Sequence, residues 1–140
     1  MSKSFADQVK AWTQKAEKRM EDVFEEATKE VAKSIIEKAP EKSGFLAHSV
    51  EAQKGSIPPI REGYRGEPGA TYAPKFAEIN GVIEGAKLGD TIGIGVTAHY
   101  SRFAEFGIQG HEPNGMVRLT VQDWPMIVDR AVQRVKARKS

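Results

Sequence analysis

The sequence predicts a single α+β domain with a long N-terminal helix, an antiparallel or mixed sheet of three or four strands, helices mainly on one face, and a C-terminal helix. Three observations support this fold. An apolar stripe recurs every three or four residues over 4–38, apolar residues alternate with glycine or threonine over 92–97, and helical spacing returns at 74–88 and 123–138. The length of 140 residues suits one domain, with 41–121 as its sheet region.

The first helix is predicted over residues 4–38. Ser4 and Asp7 have the spacing of a helix-capping pair, and Pro40 disfavours helical geometry at Ala39. At about 1.5 Å per residue this helix is roughly 50 Å long, which exceeds what a domain of this size can cover. Two interpretations follow: the first half is solvated, or its apolar side chains lie against a neighbouring subunit. We favour the second, and the residues concerned are Phe5, Val9 and Trp12.

The next part of the chain contains a short apolar piece at Phe45 and Leu46, an extended segment at 49–53, and an irregular loop at 54–72. Long loops in compact domains are generally functional or disordered. This one combines basic and aromatic residues, namely Arg61, Tyr64 and Arg65. We expect it to order against a neighbouring subunit; contact with single-stranded nucleic acid is the alternative.

Two further helices are predicted. The helix at 74–88 has Pro74 in its first turn and Gly89 at its end. The C-terminal helix at 123–138 begins at Asp123 with Pro125 in its first turn, since a start near Thr120 would place this proline inside the helix. Its last turns are basic, which is consistent with a solvated end, a protein interface or a nucleic-acid contact.

Residues 91–121 are predicted to form a strand, a short helix and a returning strand. In the strand at 92–97, Gly93 and Gly95 occupy one face, where another backbone or a neighbouring subunit comes close. We assign this face to a partner. The short helix has Tyr100, Phe103, Ala104 and Gly107 on one face, and alternation at 116–121 predicts the returning strand.

Glu105 is the most prominent charged residue in this region. Arg118 of the returning strand is its expected partner, in a partly buried ion pair. Such a pair is either a local contact within the chain or a contact across a subunit boundary, where it would fix register more than it adds affinity.

Composition and motifs argue against an enzyme. The net charge of +2 is too small to indicate nucleic-acid binding, and the absence of cysteine excludes disulfides, thiol catalysis and thiolate metal sites. The remaining candidates, His99, Glu105, His111 and Glu112, lack a zinc-binding register. We therefore predict no catalytic site, no metal and no cofactor. The sequence has neither a signal-peptide pattern nor an apolar run of membrane-spanning length, which predicts a protein made in and used from a cytoplasm.

One ordered set of motifs is similar to a known family. Ser43-Gly44-Phe45-Leu46, then Tyr100, Phe103 and Glu105-Phe106-Gly107, then Pro113 and Gly115-Met116-Val117-Arg118 follow the order found in small tail-completion, or head–tail joining, proteins of tailed bacteriophages. The resemblance covers roughly residues 40–135, and the first helix agrees only in kind.

The resemblance implies a structural protein of the virion, located at its neck or tail and assembled in the host cytoplasm. Its implied partners are copies of itself in a ring, with a hexamer as one option, and other neck or tail proteins such as a connector, a stopper or the tail tube. DNA would pass through the ring without sequence-specific binding, and no membrane is involved. The alternative is a small nucleic-acid-binding module that uses the basic C-terminal helix and the 54–72 loop.

Overall fold

The computed structural model describes residues 4–40, 43–107 and 114–138. It confirms an α+β fold in which the other elements pack on or beside a long first helix. The elements in chain order are α1 (Phe5–Lys38), α2 (Phe45–His48), β1 (Val50–Lys54), α3 (Phe76–Glu84), β2 (Ile92–Val96), α4 (Ser101–Phe106), α5 (Met116–Gln122) and α6 (Trp124–Ala137).

Helix α1 begins and ends where the sequence predicts. The Ser4 side chain accepts a hydrogen bond of 3.1 Å from the backbone N–H of Asp7, and Ala39 is extended ahead of Pro40. The two halves of the helix differ in burial: residues 4–20 are all exposed, whereas Ala27, Ala32 and other apolar residues of the second half are buried.

The sheet is antiparallel, which is one of the two arrangements that the sequence predicts. It has fewer strands than expected. Strands β1 and β2 pair with Val50 opposite Val96 and Lys54 opposite Ile92, and the described residues contain these two strands alone. The prediction of three or four strands is therefore wrong.

Residues 116–121 are helical, so the predicted returning strand is also wrong. Met116 and Thr120 are buried one helical turn apart, and the Thr120 hydroxyl donates a hydrogen bond of 2.8 Å to the Met116 carbonyl. Alternation over only six residues could not distinguish the two structures, and the tertiary contacts of both turns of α5 favour the helix.

The core lies between the second half of α1 and the elements packed on it. Helix α3 and strand β1 contribute Ile79, Ile83 and Val50, while α6 packs separately on α1 through Ile127 and Ala131 against Ala27. Helix α3 is shorter than the predicted 74–88 and ends at Gly85 instead of Gly89.

The 54–72 loop is ordered by its own chain. The N–H of Arg61 donates to the Thr97 carbonyl and the N–H of His99 donates to the Tyr64 carbonyl, both at 2.9 Å. The ring of Tyr64 lies 4.9 Å from that of Phe45 in an edge-on contact. These contacts attach the loop to its own chain, and the expected contact with a neighbouring subunit stays a prediction.

The loop also explains the glycines of β2. A Cβ atom on Gly93 would lie 2.0 Å from the Ser56 carbonyl oxygen, and one on Gly95 would lie 2.7 Å from that of Pro58. Of the two predicted alternatives, the close approach of another backbone is correct, and that backbone belongs to the same chain. The assignment of this glycine face to a partner is wrong, because residues 56–58 already cover it.

No helix within the described ranges is long and apolar enough to cross a membrane.

Candidate functional site: an exposed helical arm and an apolar cleft

Residues 5–20 of α1, here called the arm, extend beyond the folded body. The side chains of Phe5 and Trp12 are 80% and 73% exposed, and Val9 and Met20 are also exposed. These residues recur on one face of the helix, as the sequence predicts. An apolar face of this kind on a monomer is typical of an interaction site.

An apolar cleft of about 490 Å³ opens on the body of the domain. Its walls come from the second half of α1, from β2 and from α5 with the start of α6. Representative side chains are Phe24, Ile94, Val121 and Trp124, and the remaining lining is also apolar apart from Gly93 and two threonines. The lining residues Val121 and Trp124 are 66% and 45% exposed, so this part of the cleft faces solvent.

Sequence reasoning missed this cleft. Val117, Val121 and Trp124 are separated by four and three residues, which is the spacing of one helical face. The signal was present, but the interpretation of 116–121 as a strand separated Val117 from Val121 and placed Trp124 in another element.

Glu105 holds the beginning of α5. Its carboxylate accepts hydrogen bonds from the backbone N–H groups of Val117 at 2.8 Å and Arg118 at 3.1 Å, and from Arg118 Nε at 2.9 Å. Burial raises the pKa of Glu105, but these donors outweigh that effect and the pKa lies below its ordinary value. A carboxylate is favourable there because the first N–H groups of a helix lack partners within it.

The predicted ion pair between Glu105 and Arg118 is present within one chain. Of the two alternatives, the structure therefore contains the local contact and not the contact across a subunit boundary. The predicted apolar face of α4 is confirmed in part: Tyr100 and Ala104 pack against the core, whereas Phe103 is 53% exposed. The buried residues of the helix are the polar Ser101 and Glu105. Polar Glu105 is buried because it anchors α5.

Of the basic residues in the loop, Arg61 forms an ion pair within the chain. Arg61 Nη2 lies 2.7 Å from Glu51 Oε2, and Lys75 Nζ lies 2.8 Å from the same oxygen. The Arg61 guanidinium also stacks 4.0 Å above the Tyr64 ring. Burial raises the pKa of Glu51, but Lys75 and Arg61 outweigh it and lower the pKa. Arg65 is exposed.

The basic end of α6 is paired with α1. Arg130 contacts Glu30, Arg134 contacts Glu26 and Glu30, and Arg138 contacts Glu26, with atom distances of 3.0 to 3.3 Å. Three of the cations that suggested a nucleic-acid contact therefore already face carboxylates. This arrangement weakens the nucleic-acid alternative.

The histidines are dispersed. His99 Nδ1 accepts a hydrogen bond of 2.9 Å from the Gly63 N–H, and His48 Nδ1 lies 2.7 Å from the Ala73 carbonyl oxygen. His111 and Glu112 lie outside the described residues. Among the residues that are described, no three His, Asp or Glu side chains are grouped to hold a metal ion.

A model of one protein family, described as "Bacteriophage HK97-gp10, putative tail-component", matches residues 3–107. The matched part runs from α1, including the arm, to the end of α4, and α5 and α6 lie beyond it. No curated protein and no solved structure matches the chain.

Proposed function

Because the chain belongs to the HK97-gp10-like family of bacteriophage tail components, we propose that it is a structural part of the virion at the head–tail junction. It completes the tail and joins it to the head connector around the DNA channel. The arm carries this proposal, since the described part of its own chain leaves Phe5 and Trp12 uncovered. A surface of this kind fits a protein whose task is assembly.

The proposed assembly is a ring of identical copies. A ring requires two different patches on each copy that meet head to tail. The arm and the cleft are two such patches, and they lie on different parts of the molecule. The neighbours above and below the ring would be a connector or stopper protein and the tail tube.

The proposed role involves no catalysis and no sequence-specific DNA contact. DNA passes through the ring, and the net charge of +2 supports a weak interaction with phosphates. The internal pairing of Arg130, Arg134 and Arg138 supports the same conclusion.

Particles produced without this protein test the proposal. Negative-stain images are expected to contain filled heads and separate tails that fail to join, and supplying the wild-type chain in trans should restore joined particles. A Trp12→Ala chain should fail to restore them, whereas Leu88→Ala, which changes an exposed side chain elsewhere, should succeed. Absence of the chain from purified infectious particles would refute the proposed location.

A further inference from the structure

We propose that the arm of one copy lies in the apolar cleft of a second copy. Phe5, Val9 and Trp12 would then pack against cleft walls that include Phe24, Val121 and Trp124. This inference deepens the self-assembly part of the proposed function and rests on it only in requiring that copies of the chain meet.

The arm cannot fill the cleft of its own copy. Phe5 and Phe24 belong to the same continuous helix, which runs unbroken from Phe5 to Lys38. At about 1.5 Å per residue, the 19-residue separation places Phe5 roughly 28 Å along the helix from the cleft wall. Only the arm of another molecule of this chain can therefore reach this site.

The dimensions of the two surfaces agree. A cleft of about 490 Å³ falls within the range of about 300–1,000 Å³ that holds drug-sized molecules, so it has room for two large side chains. Burying the rings of Phe5 and Trp12 removes on the order of 300 Å² from water, and the cleft walls that cover them contribute a similar area. With the flanking turns of the arm, the contact approaches the roughly 1,000 Å² of a specific interface.

The two halves of α1 differ in charge. Residues 4–20 contain six charged side chains, of which four are basic, whereas residues 21–38 contain nine, of which six are acidic. Glu21, Asp22 and Glu25 flank Phe24 at the end of the cleft nearest the arm. Most of these carboxylates already have partners within the chain, since Asp22 pairs with Lys18, Glu25 with Lys29, and Glu26 and Glu30 with the arginines of α6. The excess of basic residues on the arm therefore acts mainly by disfavouring two arms that lie side by side.

This contact joins two different patches of the chain. Two copies that exchange arms reciprocally form a closed two-fold dimer, whereas copies that contact one another head to tail form a longer chain or a ring, and the proposed ring requires the second arrangement. Each copy offers one arm and one cleft, and addition can continue until a ring closes.

Cysteine cross-linking tests the contact directly, because the natural chain has no cysteine. In a Trp12→Cys/Val121→Cys variant, mild oxidation is expected to give dimers and a ladder of longer products that a reductant reverses. The matched control is Trp12→Cys/Leu88→Cys, since Leu88 is also exposed but does not line the cleft. Equal linkage in both double variants would overturn the proposal, as would efficient linkage of Trp12→Cys alone, which would indicate arm-to-arm pairing.

Sedimentation of variants that carry no introduced cysteine provides the second test. Trp12→Ala and Val121→Arg should each raise the concentration needed for association at least tenfold, whereas Leu88→Ala should leave it unchanged. Both side chains are exposed, so unfolding curves should remain those of the wild type. Mixing the two defective variants should restore one intact contact and give dimers without larger species.

A wild-type chain that stays monomeric at every concentration, or a Val121→Arg variant that associates normally, would overturn the arm-in-cleft contact. If the arm-in-cleft contact is refuted but the protein is present in virions, the proposed location still stands. Successful cross-linking of a chain absent from virions would instead refute the location.

Discussion

Replacing Glu105 with alanine should destabilise the domain mainly by releasing the start of α5. The side chain is only 11% exposed, and its oxygens accept hydrogen bonds from the backbone N–H groups of Val117 and Arg118. In Glu105→Ala both donors lose this partner at a site where water replaces it poorly. An unsatisfied buried donor costs about 1–3 kcal/mol.

The ion pair with Arg118 should contribute less than the two backbone contacts. The Arg118 side chain is 52% exposed, and pairs of that kind contribute about 0–1 kcal/mol. We therefore expect a loss of about 2–3 kcal/mol for Glu105→Ala, under about 1 kcal/mol for Arg118→Ala, and an intermediate value for Glu105→Gln, which keeps one acceptor oxygen. At about 3–5 °C per kcal/mol, the alanine variant should melt roughly 10 °C below the wild type.

Urea unfolding followed by circular dichroism at neutral pH measures these differences. A loss for Arg118→Ala as large as that for Glu105→Ala would show that the ion pair dominates. Unchanged stability of Glu105→Ala would refute the anchoring role altogether.

The same residue predicts a pH dependence. The folded-state pKa of Glu105 is lowered, so its contribution to stability is complete above the unfolded-state pKa of about 4.3 and is lost as the pH falls through the lower folded value. The stability difference between wild type and Glu105→Gln should therefore be largest near neutral pH and shrink in acid. A difference that grows on acidification would contradict this sign.

Four other substitutions test separate parts of the fold by thermal unfolding. Gly93→Ala should cost more than about 2 kcal/mol because its Cβ would meet the Ser56 carbonyl, whereas Gly81→Ala, with open space inside α3, should gain about 0.5–1 kcal/mol. Ile127→Ala removes a fully buried side chain and should cost about 2–5 kcal/mol; a neutral result would mean that α6 does not pack on α1. Arg134→Ala should cost under about 1 kcal/mol, with the loss decreasing as salt rises, because the pair is partly exposed.

Local patterns predicted the helices at the two ends of the chain. The stripe from Phe5 to Ile35 and the capping residue Ser4 are properties of neighbouring residues, and the structure places α1 at Phe5–Lys38. The same holds for α6, whose buried Ile127, Ala131 and Val135 recur at helical spacing. The exposure of the arm also followed from sequence, because a helix of that length exceeds the body that could cover it.

Residues between 100 and 122 were harder to interpret because distant contacts select their structure. Six alternating residues at 116–121 are compatible with a strand, and only the carboxylate of Glu105 at the first turn, together with burial of Met116 and Thr120, makes the helix favourable. The glycine face of β2 likewise required knowing where residues 56–58 lie. Neither contact leaves a local pattern in the chain.

The sequence by itself determined an α+β chain with an overlong amphipathic first helix, because helical periodicity and chain length are local quantities. Only the tertiary structure decided that the sheet has two described strands, that Glu105 anchors α5, and that α1, β2, α5 and α6 together enclose an apolar cleft. A cleft exists only where residues distant in sequence are brought together, so the apolar face formed by Val117, Val121 and Trp124 could not by itself identify the opposite walls.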